Sequence, residues 1–296
     1  MRTETADMSL AETWARRLAD ARCRLTNAGE STESRGHDLK SFQRRADVLN
    51  RTPGQLRDYD CRKCKNKGSV AFAHDNGNGN FEIRCVECEC VAKRRYFRNV
   101  RESGLPDMLR RYTLDNWRAH EDWQRELPEA VKRYAEKPEG WFCLSGRPGT
   151  GKTHLCTALC GALLEKGFPV RYMLWRDVSV RAKAVVNDAE DYGAIVEPLK
   201  RVRALYIDDF WKNGRDAPSD ADIRLAFEIL NARYADSRLV TILSRELSAG
   251  DMCDIDEAVG SRIRERTRRG FYQNLNKYEN CENWRMTGGE AIPDGE

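Results

Sequence analysis

The chain has 296 residues, 40% of them hydrophobic and 33% charged, with a formal net charge of +4 at pH 7. That length accommodates one ordinary domain and a smaller one. No apolar run approaches the roughly 20 residues of a membrane-spanning helix, and the opening MRTETADMSLAETWARRLAD lacks an apolar signal core, so a cytoplasmic protein is expected. Charge is unevenly placed: residues 1–110 hold 22 Lys and Arg against 16 Asp and Glu, the remainder 29 against 31. A basic front end suggests an anionic partner.

The segment SLAETWARRLADARCRL, near 8–24, spaces Met8, Leu10, Trp14 and Leu18 as one face of an amphipathic helix, with Ser9 as its cap. A polar linker over 27–38 leads to a second helical patch near 39–50. Eleven cysteines follow an uneven plan. Cys61, Cys64, Cys85, Cys88 and Cys90 cluster, whereas Cys23, Cys143, Cys156, Cys160, Cys253 and Cys281 are scattered as small core residues would be. CRKC and CVEC form two C-x-x-C knuckles with a ribbon-like spacing, and four thiolates on tight turns suit tetrahedral Zn²⁺. The stretch between them reads as a hairpin with NGNGN at its tip. Cys90 is a fifth candidate ligand and His74 a weaker sixth, so the pairings Cys85/Cys88 and Cys88/Cys90 both stay open.

VAKRRYFRNVR (91–101) comes next, and its Lys93, Arg94, Arg95, Tyr96, Phe97 and Arg98 suit a phosphate backbone with stacked bases. The competing reading is a helix whose aromatics pack on the zinc module while its charges are solvated. A further helical stretch ends in EKPEG.

From Trp141 the pattern alternates as in a parallel α/β domain. Strands are expected at WFCL, VRYMLW, VRALYI and LVTIL, with helices after Lys152 and over 220–236, and an arginine-rich helix at 260–270 followed by a last strand. Gly146-Arg147-Pro148-Gly149-Thr150-Gly151-Lys152-Thr153, followed by His154, fits G-x-x-x-x-G-K-[ST] between a strand and a helix. The glycines let backbone N–H groups surround phosphate oxygens, Lys152 supplies a charge to the β and γ phosphates, and Thr153 offers its hydroxyl to Mg²⁺. ALYIDDF then delivers two carboxylates at a strand end: Asp208 to hold Mg²⁺ and Asp209 to orient the attacking water. Glu is frequent at the second position, and Asp is one methylene shorter. The expectation is therefore slow ATP hydrolysis, below about 10 s⁻¹. GSRIRERTRRG sets Arg262, Arg266 and Arg269 near one helical face, where an arginine either reaches a neighbour's γ-phosphate or forms part of a solvated basic helix.

In this order the cysteine segment, KRRYFRNVRESGLP, YTLDNW, FCLSGRPGTGKTHLCTAL, ALYIDDF and GSRIRER resemble the DnaC/DnaI-type replicative helicase loaders, a branch of the AAA+ ATPases, over about 58–285. The resemblance implies ATP bound at subunit junctions, assembly into a ring or spiral, and an N-terminal grip on a hexameric DnaB-type helicase that is placed on single-stranded DNA. It puts Arg262 at the arginine finger, Arg285 at a sensor arginine and Ser244 at a polar strand end, although Arg245 stands where Asn is usual. It also favours a C-x-C ending, Cys88 and Cys90, in the zinc set. The expected architecture is a helical region over 1–57, a zinc-ribbon-like module over 58–103 and an AAA+ P-loop domain with a parallel sheet over 104–296, in a bacterial or phage-infected cell. An IstB-like transposition helper and a non-hydrolysing zinc-module adaptor are the alternatives.

Overall fold

The structure is a computed structural model that describes residues 38–57, 59–77, 80–212, 217–278 and Asn283. The helix expected near 8–24, Cys23, Cys281 and Arg285 lie outside the described residues. The chain divides into two compact units, Met1–Arg98 and Asn99–Glu296.

In the first unit, α1 (Leu39–Arg51) starts at Asp38, whose carboxylate accepts from the Ser41 N–H at 2.9 Å. It packs on an antiparallel hairpin, β1 (Ser69–Asp75) and β2 (Phe81–Glu87), in register from Ser69 opposite Glu87 to Asp75 opposite Phe81. Asn50 clips helix to sheet, because its amide donates to the Ala71 carbonyl and accepts from the Ala71 N–H, both at 2.8 Å. Beyond the hairpin, α2 (Cys90–Glu102) begins in this unit and ends in the second.

The second unit opens with α3 (Pro106–Arg111) and α4 (Asp122–Glu136) and is built on a five-stranded parallel sheet. Its strands are β3 (Phe142–Ser145), β4 (Val170–Leu174), β5 (Ala204–Asp208), β6 (Val240–Arg245) and β7 (Phe271–Asn274), in spatial order β4-β5-β6-β3-β7. Every residue of β3, β5 and β6 is buried. That is why these segments read as continuous apolar runs: helices cover a parallel sheet on both faces. α5 (Lys152–Glu165) buries Leu155, Leu159, Leu163 and Leu164, and the turn after it passes through Gly167 at φ +81°.

Past the phosphate loop, three helices occupy stretches where the sequence reading placed no helix: α6 (Trp175–Ala184), α7 (Ala189–Arg201) and α9 (Ala249–Ile255). Strand β4 stops at Leu174 because Trp175, fully buried, turns into the core as the first residue of α6. α8 (Asp220–Ala235) starts at a capping box between Ser219 and Asp222, and α10 (Glu257–Arg269) is capped by Asp256. Arg233, fully buried on α8, donates to Thr241 Oγ1 and to the carbonyls of Leu199, Val202 and Val240. Its cation is thus satisfied without a carboxylate.

Candidate functional site

Strand β3 ends at Ser145, and the chain turns through Gly146, whose N–H donates to the Arg245 carbonyl at 3.0 Å. Gly149 and Gly151 both lie in the left-handed region, at φ +78° and +83°. At Gly151 a second constraint acts, since a Cβ there would strike the Trp117 ring at 2.5 Å. The loop then enters α5 with Lys152, which is 6% exposed and donates to the carbonyls of Gly146 at 2.7 Å and Arg147 at 2.8 Å. Burial pushes the Lys152 pKa down, against the opposing pull of the Asp209 and Glu246 carboxylates.

Because β6 lies between β3 and β5, Ser244 at its C-terminal end falls beside the acidic end of β5. Asp208 is nearly buried and gathers donors from four elements. Its Oδ1 accepts from Tyr206 at 2.8 Å, from Thr153 at 3.3 Å and from Ser244, while Oδ2 accepts from Tyr172 at 3.3 Å. Burial, reinforced by the Asp208 charge, pushes both phenols above their ordinary value, so they stay donors. Asp209 follows at φ +49°, and its N–H donates to Ser244 Oγ at 3.2 Å. Its carboxylate faces Lys212 at 3.4 Å, and Lys212 also reaches Glu246 at 2.7 Å.

Gly149, Gly151, Lys152, Thr153, Asp209, Lys212 and Glu246 line a cleft of about 380 Å³, inside the range usual for small-molecule sites. One wall was missed by the motif reading: Tyr112, Asn116, Trp117 and Arg118, from YTLDNW and its flanks, line it. His154 anchors that wall, with Nε2 2.7 Å from the Thr113 carbonyl and its ring 5.2 Å from those of Tyr112 and Trp117. Trp117 in turn donates through Nε1 to the Gln124 carbonyl at 2.9 Å. The available signal was a Tyr and a Trp in a non-helical stretch shortly before the P-loop strand. Asn276, just after β7, was also missed. Its Oδ1 accepts from the Arg147 N–H at 2.8 Å.

Arg262 does not line this cleft. It bonds Asn231 Oδ1 at 3.1 Å and the Ala258 carbonyl at 2.6 Å, over the Phe227 and Tyr234 rings. The expected stripe of Arg262, Arg266 and Arg269 is broken, because Arg266 is buried over Trp141 and donates to the Asp236 carbonyl at 3.2 Å.

In the first unit, the Sγ atoms of Cys61, Cys64, Cys88 and Cys90 all lie within 4.8 Å of one another. Cys61 and Cys88 are 3.7 Å apart, Cys64 and Cys90 3.4 Å, and the Gly68 N–H donates to Cys64 Sγ at 3.3 Å. Four sulfurs about 2.3 Å from a zinc ion would be about 3.8 Å apart, whereas a disulfide needs about 2.05 Å. The donor set and spacing therefore fit a four-thiolate zinc ion. Cys85, which the C-x-x-C spacing favoured, is not part of the group. It sits mid-strand opposite Ala71, and β2 remains extended to Glu87. Three extended residues span about 10 Å, so Cys85 and Cys88 cannot form a knuckle, and the turn from Cys88 into α2 brings in Cys90 instead. His74 also lies outside the group.

Helix α2 corrects another expectation. Arg94 is 3% exposed, not a surface cation. It donates to Asn66 Oδ1 at 2.7 Å and to the Arg57 carbonyl. Lys93, Arg95, Phe97 and Arg98 are exposed and Tyr96 is half-buried.

Among known proteins, the profile of the family described as "IstB-like ATP binding protein" matches residues 87–266. The phage-like element PBSX protein XkdC of Bacillus subtilis (strain 168) is 30% identical over 219 residues, which cover 70% of this chain and 79% of that one. The replicative helicase loader DnaC of Escherichia coli (strain K12) is 25% identical over 207 residues, covering 69% and 81%. A crystal structure of the DnaC helicase loader superposes with a TM-score of 0.49 at 20% identity, over 56% of this chain and 98% of that one. The P-loop, the acidic strand end and the matched sequence together make this chain a member of the IstB-like ATP-binding protein family, with DnaC-type helicase loaders among its relatives.

Proposed function

We propose that this protein is an ATP-dependent loader that grips a hexameric DnaB-type replicative helicase and places it on single-stranded DNA, with slow hydrolysis of ATP as the release step. The observation that carries the reading is the convergence of Thr153, Asp208 and Ser244, joined by hydrogen bonds at the base of a cleft that Lys152, Thr153 and Asp209 line. In it, backbone N–H groups of Gly149 to Thr153 cradle the phosphates and Lys152 leaves its loop carbonyls for the β and γ oxygens. Thr153 and Asp208 would hold Mg²⁺, which neutralises charge on those oxygens. Asp209 orients the attacking water, and Ser244 ties the Asp208 carboxylate and the Asp209 backbone N–H to β6. Trp117, Tyr112 and His154 form an aromatic wall for the base.

Arg262, absent from its own cleft, is read as the finger that reaches a neighbouring copy's nucleotide, and Arg285 as the sensor arginine. Cys61, Cys64, Cys88 and Cys90 hold a structural zinc ion, with every position filled by protein and none open for chemistry. The 1–57 region is assigned to helicase contact or tethering, and 104–296 to the ATPase.

The test is co-purification with a hexameric DnaB-type helicase in ATP and in ADP, with turnover measured with and without single-stranded DNA. Capture that depends on nucleotide and is lost in Lys152→Ala is the expected result. A second reading, a transposition helper, draws support from the family match itself, most of which lies beyond the cysteine cluster. Retention of a transposase in place of the helicase would favour it. Absence of any hydrolysis would instead favour an adaptor that keeps ATP as a structural ligand.

A further inference from the structure

The cysteine loop and helix α2 bring together an aromatic surface that neither segment holds alone. Tyr59, two residues before Cys61, stacks on Phe97 with ring centroids 6.3 Å apart and planes 18° from parallel. Tyr96 meets the edge of Phe97 at 5.6 Å. Lys93, one turn before Phe97, sits 5.5 Å over the Tyr59 ring. Phe97 is 47% exposed and is the one large exposed hydrophobic side chain among the described residues of α2. Arg62 and Lys93 line one hollow with Tyr59, Arg95 and Arg98 are exposed elsewhere on α2, and none of Arg62, Arg95 and Arg98 pairs with an acid among the described residues. The arrangement is held from beneath. Arg94 reaches across to Asn66 Oδ1 and the Arg57 carbonyl, and the same Asn66 oxygen accepts from the Cys61 N–H at 2.8 Å. Arg94 is thus a strut that keeps Tyr59 against Phe97.

We infer that Tyr59, Phe97 and Tyr96, with Arg62 and Lys93 beside Tyr59 and Arg95 and Arg98 elsewhere on the same helix, form a stacking platform for single-stranded nucleic acid. The inference deepens the loading reading above and rests on it, adding a DNA contact on the cysteine module. Two observations choose this occupant. Residues 38–98 carry fourteen Lys and Arg against eight Asp and Glu, so the surface complements a polyanion. The one large exposed hydrophobic side chain among the described residues of α2 is a flat aromatic ring, and an aromatic face stacks on any base, whereas a duplex keeps its bases stacked inside. A packing role for the aromatics and a contact role for the helix are therefore compatible: Arg94 holds Tyr59 against Phe97, and the two rings with the exposed cations meet the strand.

The test uses the full chain and fluorescence anisotropy with a labelled twenty-nucleotide oligo-dT and a duplex of equal length, over a salt series, with ATP turnover without DNA as the control for the second unit. Phe97→Ala and Tyr59→Ala should each weaken oligo-dT binding about tenfold and leave the salt slope unchanged, while Phe97→Tyr restores affinity. Arg95→Gln with Arg98→Gln should instead lower the slope of log affinity against log salt by about 1.4. If the wild-type protein binds oligo-dT and both alanine variants bind within twofold of it, the platform is wrong while the loading reading stands. If the wild-type protein binds no oligo-dT in any nucleotide state, both fall. Equal binding to the duplex, or loss of helicase capture with DNA binding intact, also overturns the platform.

Discussion

Tyr206→Phe removes one oxygen and nothing else. Tyr206 is fully buried on β5, and its hydroxyl donates to Asp208 Oδ1 at 2.8 Å. The ring stays, so no cavity opens. A hydrogen bond to a charged acceptor contributes about 1.5–3 kcal/mol. Asp208 keeps Thr153 and Ser244 on the same oxygen, so the lower end applies, about 1.5 kcal/mol, or roughly tenfold in the folding equilibrium. Tyr172→Phe is the internal control. Its bond to the other oxygen is 3.3 Å long and its side chain is only half-buried, so the loss should be about 0.5 kcal/mol. Six of the seven tryptophans lie beyond residue 98, which makes urea unfolding followed by tryptophan fluorescence a probe of the second unit. The Mg²⁺ dependence of turnover should shift in the same order, with more Mg²⁺ needed by the Tyr206 variant. A Tyr206→Phe midpoint equal to wild type, or a larger loss in Tyr172→Phe, would refute the role of Asp208 as the hub of this site.

Gly151→Ala would place a side chain at φ +83° and against Trp117, so binding of a fluorescent ADP analogue should fall at least about tenfold. Wild-type affinity in that variant would show the loop to be less constrained than its geometry. At the cysteine cluster, zinc content by mass spectrometry should stay at one ion per chain in Cys85→Ser and be lost in Cys90→Ser; the reverse outcome would restore the C-x-x-C assignment. His154 titrates below its ordinary value because it is buried, a shift that the Thr113 carbonyl opposes. Its folded pKa lies below the unfolded one, so its contribution to stability is present above about pH 6.5 and is lost as pH falls through the folded value. Urea midpoints between pH 5 and 8 should therefore slope less in His154→Asn than in wild type, and parallel slopes would remove His154 as the cause.

What the amino-acid sequence determined by itself was whatever depends on neighbours within one element. The P-loop was legible because strand, glycine turn, Lys152 and helix are contiguous. ALYIDD was legible because a parallel strand buried on both faces must be apolar until its end, and the hairpin because alternation stops at NGNGN. What only tertiary structure decided hangs on partners far away in the chain. Ser244 meets Asp208 because β6 inserts between β3 and β5, a strand order no local pattern encodes. Cys90 replaces Cys85 because β2 stays extended through Glu87 and a turn follows. Arg94 and Arg266 point inward, and Trp117 and Asn276 come to the phosphate loop, for the same reason. Spacing along a chain sets which side chains share a face of one helix or strand, but packing between elements sets which face is covered and by what.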